Sequence, residues 1–511
     1  MSDKDNVDNK VDHSESVPNT IDRRKVLAGG AAAMGGLLAG QLVPGIAGAQ
    51  SMSGATANGN DNTFTLSVAG EILCTRPFAA RTDPQFLGIV KLLRESDHAF
   101  GHLEMNFGTD DEITWSPRGT AGRASYMMTD PQVAKDLNWA GFGSLSLAHN
   151  HSYDWGAEGI FGTLRACEEA GIAGAGIGEN LEVARSPAYF ENDKGRMSMV
   201  SIGSGNNQYE WAGLSKGKIP GRPGMNPLRV FKRYEVDRAA ADQLRAIGKN
   251  LGVLSDEAAM RETFNITPGT GVGGTGAASF TFAEADEFDI KTTAHPRDTE
   301  DNLRSVTEAR RMSDFVIVSH HNSLSEDRRG TTPPDFIYDF ARASIDAGAD
   351  IYVGHGWHSF LGIEIYKGKP IIYGTGNFWI QTSYLTRVPA DSYEAWGYNL
   401  DDLTTLHPAI GDLHPGGGQE DWNWTALFQF KFEGGRLNEI LLHPVEMGMD
   451  FSSGTGVAYR TIGDADHQFI DGTPWLATGA NGQAILERLR ERCALRGTQM
   501  DIRGGVGVVK V

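Results

Sequence analysis

Ligand-type side chains recur at the ends of apolar runs along this 511-residue sequence. Loops that follow the strands of an open α/β sheet converge on one surface, so side chains at strand ends are expected to meet. Carboxylate, imidazole and amide oxygen are hard or borderline ligands that suit zinc, manganese, iron or magnesium. The sequence therefore predicts a metal centre. Its candidate residues are Glu71, His102, Glu104, His149, Asn150, His151, Asp154, His320, His321, His355, His358 and Asn377.

Each motif also has a purely structural interpretation. Glu71 could be a solvated carboxylate in a turn, and Asn150 with Asp154 could form a turn or cap a helix. His355 and His358 flank a Gly-Trp pair that could be a surface turn carrying incidental histidines. Chance placement of ligand-type residues at five separate strand ends is the weaker explanation of the whole pattern.

Two positions carry more information than the others. Glu104 lies between Leu103 and Met105 after an apolar run, and a carboxylate so placed is rarely buried without a partner. His320 and His321 end a predicted strand, so one of the two must point into the structure, because successive side chains of a strand alternate between its faces.

The elements that must position these residues alternate between strands and helices, which indicates an α/β fold with helices outside a sheet. The apolar patterns predict nine strands: Thr63–Cys74, Ala99–Phe107, Phe142–Ala148, Met197–Gly203, Phe315–Ser319, Ile351–Gly354, Pro370–Tyr373, Ala426–Phe432 and Asn438–His443. They predict seven helices: Pro84–Arg94, Pro131–Ala140, Gly159–Ala170, Arg238–Leu251, Asp301–Ser313, Pro334–Ala347 and Gln483–Arg492.

The pattern weakens in two places. Residues 206–296 are rich in Gly and are predicted to be an insertion of loops around one helix, with the stretch Gly269–Ser279 as a flexible lid or linker. Residues 385–420 are predicted to form a long Gly/Asp/Pro-rich loop.

Composition excludes several classes of protein. The formal net charge is −19, which argues against a nucleic-acid partner and against an anionic lipid surface, because both require basic patches. Three cysteines in a chain of this length cannot form a disulfide framework, and their spacing does not suit a thiolate zinc site.

The first residues are predicted to be a targeting segment. Arg23-Arg24 precede a weakly apolar Gly/Ala-rich stretch that ends in Ala47-Gly48-Ala49, which favours a twin-arginine export signal over residues 1–49. An uncleaved anchor helix is the alternative. Residues 50–62 would then be a flexible linker and residues 63–511 the folded domain, with the twin-arginine export machinery as a partner and no stable membrane span after cleavage. The expected location is periplasmic, extracellular or at the cell surface.

Six segments together resemble the CapA (poly-γ-glutamate capsule synthesis) family of the calcineurin-like metallophosphatase superfamily. They are AGEIL at Ala69–Leu73, HLE at His102–Glu104, AHNHSYDWGAEGIFGTL at Ala148–Leu164, VSHHNS at Val318–Ser323, GADIYVGHGWHSFLGIEIYKGKPIIYGTGNF at Gly348–Phe378 and GRLNEILLHPV at Gly435–Val445. The resemblance implies a four-layer α/β/β/α sandwich of the metallophosphoesterase type, interrupted by the Gly-rich insertion, with the metal loops at one edge.

The resemblance also implies roles for single residues. One or two divalent ions, either zinc, manganese or iron, would be held by Glu71, Glu104, Asn150, His321, His355 and His358. His151 would act on the leaving group or the transition state, and Asp154 would steady its loop. Three positions depart from the family pattern: Glu71 replaces an Asp, His102 replaces an Asn, and Gly356 replaces a His that here is found one position earlier, at His355.

Two function classes remain open at this point. The first is an exported metal-dependent hydrolase of phosphoester or amide bonds, whose substrate is an envelope or extracellular polymer such as poly-γ-glutamate. The second is a non-catalytic accessory protein for poly-γ-glutamate or capsule biosynthesis and export. The retained carboxylate, Asn and His positions favour the first class, and the three departures favour the second.

Overall fold

The structure is a computed structural model. It describes residues 63–109, 111–113, 115–116, 126–250, 263–266, 280–322, 324, 332–382, 385, 422–450, 458–459, 461–462, 468–469 and 472–511. All of these lie in one compact unit that runs from Asn62 to Val511. The predicted signal (1–49), the linker (50–62), the stretch Gly269–Ser279 and the 385–420 loop apart from Leu385 lie outside the described residues.

The described residues alternate between helices and strands, which confirms the α/β class. The helices are α1 Pro84–Arg94, α2 Gln132–Ala140, α3 Gly156–Ala170, α4 Leu181–Arg185, α5 Arg238–Asn250, α6 Pro296–Met312, α7 Asp335–Ala347 and α8 Gly479–Ala494. The strands are β1 Thr63–Leu73, β2 His98–Leu103, β3 Asn106–Phe107, β4 Met128–Thr129, β5 Ser144–Ser146, β6 Ala173–Ala175, β7 Ile177–Gly178, β8 Ala188–Asn192, β9 Gly195–Ser204, β10 Gly224–Met225, β11 Val230–Val236, β12 Thr263–Ile266, β13 Phe280–Glu284, β14 Asp289–Ala294, β15 Phe315–Asn322, β16 Ile351–His355, β17 Ile363–Tyr366, β18 Lys369–Ile372, β19 Asn377–Ile380, β20 Trp424–Glu433, β21 Arg436–Glu446, β22 Met449–Asp450, β23 Ala458–Tyr459, β24 Thr461–Ile462, β25 Gln468–Phe469, β26 Trp475–Leu476, β27 Asp501–Arg503 and β28 Val506–Lys510.

The larger of two main sheets has ten strands. Its order is β27-β28-β21-β20-β1-β2-β5-β6, with β19 also paired to β1 and β26 to β21. The half that contains β1, β2, β5 and β6 is parallel, whereas β20, β21 and β28 join it as antiparallel neighbours. The carboxyl ends of β1, β2 and β5 therefore lie at the same edge of this sheet.

The second main sheet has six strands in the order β17-β18-β16-β15-β9-β8. Its four central strands, β18, β16, β15 and β9, are parallel, and the two edge strands run antiparallel to them. The carboxyl ends of β9, β15 and β16 thus share one edge as well.

Three apolar clusters hold the sheets and helices together. One cluster packs α1, α2 and α3 against the ten-stranded sheet, with Phe86 and Ile160 on the helices and Leu103 on β2. A second contains residues of both sheets, such as Phe428 and Ile317.

The third cluster packs the other face of the six-stranded sheet against α6 and α7, through residues such as Val306, Val316 and Phe340. Val316 and Ile317 belong to different clusters because neighbouring residues of a strand point to opposite faces.

The region 206–296 differs from the loop-rich insertion that its composition predicts. The predicted helix is present as α5, but a four-stranded sheet in the order β12-β13-β11-β14 accompanies it. Exposed positions outnumber buried ones along β11 and β14. An apolar pattern is accordingly weak in these strands, which is why the sequence does not reveal them.

Within the described part of the chain, no helix is both long enough and apolar enough to cross a membrane.

Candidate metal centre

Parallel strand pairing brings most of the sequence-predicted residues to the same edge of each sheet. In the ten-stranded sheet, Glu71 of β1 pairs in register with His102 of β2 and with Asn377 of β19. In the six-stranded sheet, His321 of β15 pairs with His355 of β16.

Three of the predicted ligands form one compact group. Glu71, Glu104 and His358 each offer a ligand atom, and these atoms lie within 4.8 Å of one another. His358 Nδ1 is 2.5 Å from Glu71 Oε2 and 3.9 Å from Glu104 Oε2. Two carboxylates and one imidazole at this separation are a donor set that suits a divalent ion.

Backbone contacts fix the position of Glu71. A Cβ at Gly70 would lie 2.0 Å from the Gly376 carbonyl oxygen, so only glycine allows β1 to approach this closely. The Glu71 N–H donates to that same oxygen at 2.9 Å, and the Gly356 N–H donates to Glu71 Oε1 at 2.7 Å. Burial opposes ionisation of Glu71, but the nearby His358 and the Gly356 N–H outweigh it and lower the pKa of the carboxyl.

His358 is held in an uncommon backbone conformation. Its φ of 54° lies in the left-handed region, which few residues other than glycine adopt, and such strain concentrates at functional sites. The ring stacks on Trp422 at 4.5 Å between centroids, and Nδ1 is 2.8 Å from Asn377 Oδ1. Burial opposes the charged imidazolium, but Glu71 and Glu104 attract it more strongly and raise the pKa of His358 to about 10.

Glu104 is fully buried, and among the described residues neither of its carboxylate oxygens has a hydrogen-bond partner. Burial raises the pKa of Glu104 to about 7. A buried carboxylate without a partner is costly, and native proteins almost always compensate it. The residues present therefore fit a bound cation, because an ion in this group would compensate the buried carboxylate.

His151 and Asp154 form a pair beside this group. Asp154 Oδ2 accepts the Met127 N–H at 2.8 Å and lies 2.7 Å from His151 Nδ1. Because the carboxylate is the acceptor in both contacts, Nδ1 carries the proton. His151 Nε2 then points toward Glu104 and lies 4.0 Å from Oε1.

The other three predicted ligands are not members of the three-residue group. His321 Nδ1 is 3.0 Å from His102 Nε2. His355 Nδ1 is 2.9 Å from Thr375 Oγ1, and its Nε2 has no hydrogen-bond partner among the described residues. Asn150 Oδ1 is likewise buried and without a partner in that part of the chain.

Burial determines the charge of the surrounding imidazoles. It lowers the pKa of His102, His149 and His321 well below the usual value, and that of His355 to about 3. These rings are therefore neutral near pH 7, which is the form that binds metal ions.

A steric constraint requires glycine at position 356. Its φ is +103°, and a Cβ at this position would lie 2.3 Å from the Asn322 carbonyl oxygen. No side chain fits here unless the backbone moves. The backbone N–H of Gly356 serves instead as a donor to Glu71.

The sequence does not predict the contacts of several residues around His358. Asn377 begins β19 and contacts His358, whereas the sequence identifies it only as a polar residue near a strand end. Trp422 lies just beyond the segment 385–420 that the sequence predicts to be a loop, and nothing in the sequence places it on His358. His320 turns away from the site, as one of the histidine pair must, and its Nδ1 is 2.7 Å from the Tyr352 hydroxyl.

Comparisons with known proteins find one family model and several relatives. A family model described as "Bacterial capsule synthesis protein PGA_cap" matches residues 65–382. The uncharacterized protein y4sH of Sinorhizobium fredii is 31% identical over 477 residues, which cover 90% of this chain and 96% of that protein.

Two relatives with functional names are more distant. The PGA biosynthesis protein CapA of Bacillus subtilis is 23% identical over 62% of this chain and 64% of its own length. A probable polyglutamine synthesis accessory protein of Mycobacterium tuberculosis is 28% identical over 52% of this chain and 52% of its own length.

Proposed function

The chain belongs to the bacterial capsule synthesis protein PGA_cap family, and we propose that it is an exported metal-dependent hydrolase. Its substrate would be an envelope or extracellular polymer such as poly-γ-glutamate. The proposal depends chiefly on one observation: a buried carboxylate, Glu104, keeps both oxygens without a hydrogen-bond partner among the described residues, between His358 and His151.

Glu71, Glu104 and His358 would hold the first ion, and the proton of His358 would be released when the ion binds, with Asn150, His321 and His355 as further donors at the same edge. When bound, one or two ions of zinc, manganese or iron supply Lewis acidity toward the oxygen of the bond that is broken.

His151 would supply the acid–base chemistry. Asp154 fixes the ring by accepting the proton on Nδ1, so Nε2 is the atom that faces the substrate. In its protonated form His151 donates from Nε2 to the leaving group, or stabilises the charge that develops there. The same arrangement serves a phosphoester and an amide bond, so the proposal includes both bond classes.

The proposal includes two features of the whole protein. Three clusters, with helices on the outer face of each sheet and apolar side chains of both sheets in the middle one, support a four-layer α/β/β/α sandwich. The Arg23-Arg24 pair before a weakly apolar stretch supports twin-arginine export to the periplasm or the cell surface.

Turnover by the purified full chain tests this proposal. The chain, reloaded with zinc, manganese or iron in turn, is assayed on p-nitrophenyl phosphates and on poly-γ-glutamate. Hydrolysis of either substrate that disappears in His151→Ala supports the hydrolase. A chain that binds metal stoichiometrically and hydrolyses neither substrate contradicts it.

A non-catalytic accessory protein for capsule or poly-γ-glutamate synthesis is the second candidate. The observation that favours it is Gly356, where the tight approach to Asn322 leaves no room for the imidazole that the family pattern has. On this alternative the bound ion stabilises the fold: removing it lowers the melting temperature, and neither substrate is hydrolysed with or without the ion.

A further inference from the structure

His102 lies among three other buried histidines, with ring centroids 5.7 Å from His149, 5.1 Å from His321 and 4.2 Å from His355. It is fully buried at the end of β2. Its Nε2 is 3.0 Å from His321 Nδ1, and its ring stacks on His355 at 4.2 Å with an interplanar angle of 12°. A residue of the ten-stranded sheet thus contacts two candidate ligands of the six-stranded sheet.

The other ring nitrogen of His102, Nδ1, contacts a group of buried serine hydroxyls. Its Nδ1 is 3.1 Å from Ser146 Oγ on β5. Ser146 Oγ in turn is 2.8 Å from Ser201 Oγ on β9 and accepts a hydrogen bond of 2.8 Å from the Ser319 hydroxyl on β15. The hydrogen bonds around Ser146 therefore join the two sheets directly beneath the site.

We propose that His102 is a positioning residue that, held by Ser146, fixes the ring orientation and the tautomer of His321. The inference rests on the proposed metal centre. At 3.0 Å, His102 Nε2 and His321 Nδ1 form a hydrogen bond, so one of the two nitrogens carries the proton and the other accepts it. When His321 presents Nε2 as a ligand, its Nδ1–H donates to His102 Nε2.

The other hydrogen bonds of this series are then donated in the same direction, away from His321. His102 Nδ1–H donates to Ser146 Oγ, and the Ser146 hydroxyl donates to Ser201 Oγ. Each hydrogen bond from His321 through His102 and Ser146 to Ser201 then has one donor and one acceptor. A ligating histidine commonly owes its orientation to such a partner on its other nitrogen, and loss of the partner weakens metal binding about 10–100-fold.

The same strand supplies a matched control. His98 lies four residues before His102 on β2, is also buried, and its Nε2 contacts the Ser144 hydroxyl of β5 at 2.8 Å. Its ring stacks on Phe190 at 4.2 Å, away from the candidate ligands. His98→Phe therefore removes an equivalent buried hydrogen bond without touching the site.

The test compares His102→Phe with His98→Phe in the full chain. Phe keeps the aromatic ring of residue 102 but removes both nitrogens. Titration of the metal-free proteins with Zn²⁺ should show affinity reduced about 10–100-fold for His102→Phe and unchanged for His98→Phe. Equal affinities of His102→Phe and the wild type, or equal losses in the two variants, would overturn the inference.

Ser146→Ala is a milder second variant with Ser144→Ala as its control, in case His102→Phe does not fold. It should weaken Zn²⁺ binding in the same direction but less, whereas Ser144→Ala should leave it unchanged. Equal affinity of the two serine variants would count against the inference.

A spectroscopic readout separates this inference from the proposed function. In ¹⁵N NMR of the metal-free wild-type chain, a coupling across the hydrogen bond should join a ring nitrogen of His102 to one of His321. Absence of that coupling overturns the positioning role even if the chain binds metal and hydrolyses substrate. A chain that shows the coupling but binds no metal contradicts the proposed function and leaves the His102–His321 bond intact.

Discussion

At the scale of single residues, Glu104 and His151 have different expected roles. Glu104 is buried next to His358, and no described residue makes a hydrogen bond to its oxygens. His151 lies on the other side of Glu104 and is oriented by Asp154. A ligand and an acid–base group should respond differently to substitution, so each gives a separate prediction.

Glu104→Gln should abolish stoichiometric metal binding yet raise the melting temperature of the metal-free protein at neutral pH. The reason is that a buried carboxylate whose oxygens lack hydrogen bonds destabilises the fold, and the amide removes the charge while nearly keeping the shape. Calorimetry of metal-free wild type and variant, with Glu112→Gln as a surface control, measures the effect. A variant that retains the ion would contradict the assignment of Glu104 as a ligand.

His151→Ala should keep the metal and the melting temperature while turnover falls about 10²–10⁴-fold, the usual contribution of one general acid or base. Little destabilisation is expected, since Asp154 keeps its hydrogen bond from the Met127 N–H. Asn150→Ala is the contrasting variant, because loss of a ligand should remove metal and activity together. If His151→Ala also loses its metal, the division of roles between neighbouring residues 150 and 151 is wrong.

At the scale of elements, the turn between β16 and β17 positions the Gly356 N–H and the His358 ring on either side of Glu71. The turn requires glycine at 356, because a Cβ would meet the carbonyl of Asn322 at 2.3 Å and φ is +103°. The position of Asn322 at the end of β15 therefore constrains the turn after β16, which carries the candidate ligand His358.

Gly356→Ala should lower the free energy of unfolding by more than the roughly 1–3 kcal/mol that a strained backbone alone costs. Gly368→Ala isolates that backbone contribution, because Gly368 also has a positive φ, +76°, but a Cβ there would have no neighbouring atom within 4 Å. Denaturant unfolding of both variants gives the difference. Equal losses would show that the contact with Asn322 does not constrain the turn.

At the scale of the whole molecule, buried histidines link stability to pH. Burial lowers the pKa of His98 from its ordinary 6.5 to about 3, so the folded state keeps the ring neutral while the unfolded chain takes up a proton first as the pH falls. The stability that this ring contributes is complete above about pH 6.5 and is lost as the pH falls toward 3.

His98→Phe should therefore flatten the acid side of the stability profile. The difference in unfolding free energy between wild type and variant should change by up to about 5 kcal/mol between pH 6.5 and pH 3, in favour of the variant. Urea unfolding at several pH values measures it, and parallel profiles for the two proteins would contradict the burial of a neutral ring. His98 contacts Ser144 and Phe190, so the test is independent of metal binding.

Sequence and structure agree best where the signal is local. The helix Pro84–Arg94 has the predicted bounds. The positions of ligand-type residues near strand ends could also be predicted, because the end of an apolar run marks the end of a strand. The predicted strand Ala99–Phe107 is instead divided into β2 and β3, and Glu104 lies in the break.

Contacts between segments that are distant along the chain could not be predicted from the sequence. The bond from His102 to His321 spans 219 positions, and the bond from the Gly356 N–H to Glu71 spans 285. Neither follows from periodicity, since both depend on how the two sheets face each other. The stack of Trp422 on His358 is unpredictable for the same reason.

The most direct test of the central claim is the metal content of the purified full chain, measured by elemental analysis after reloading with zinc, manganese or iron and removal of excess ion. The account predicts at least one ion per chain and a melting temperature that falls on chelation, because an ion at about 100 times its Kd stabilises the fold by about 2.7 kcal/mol. It also predicts that Glu104→Ala loses that ion. Less than one ion per chain with all three metals, together with a melting temperature that a chelator leaves unchanged, would contradict it.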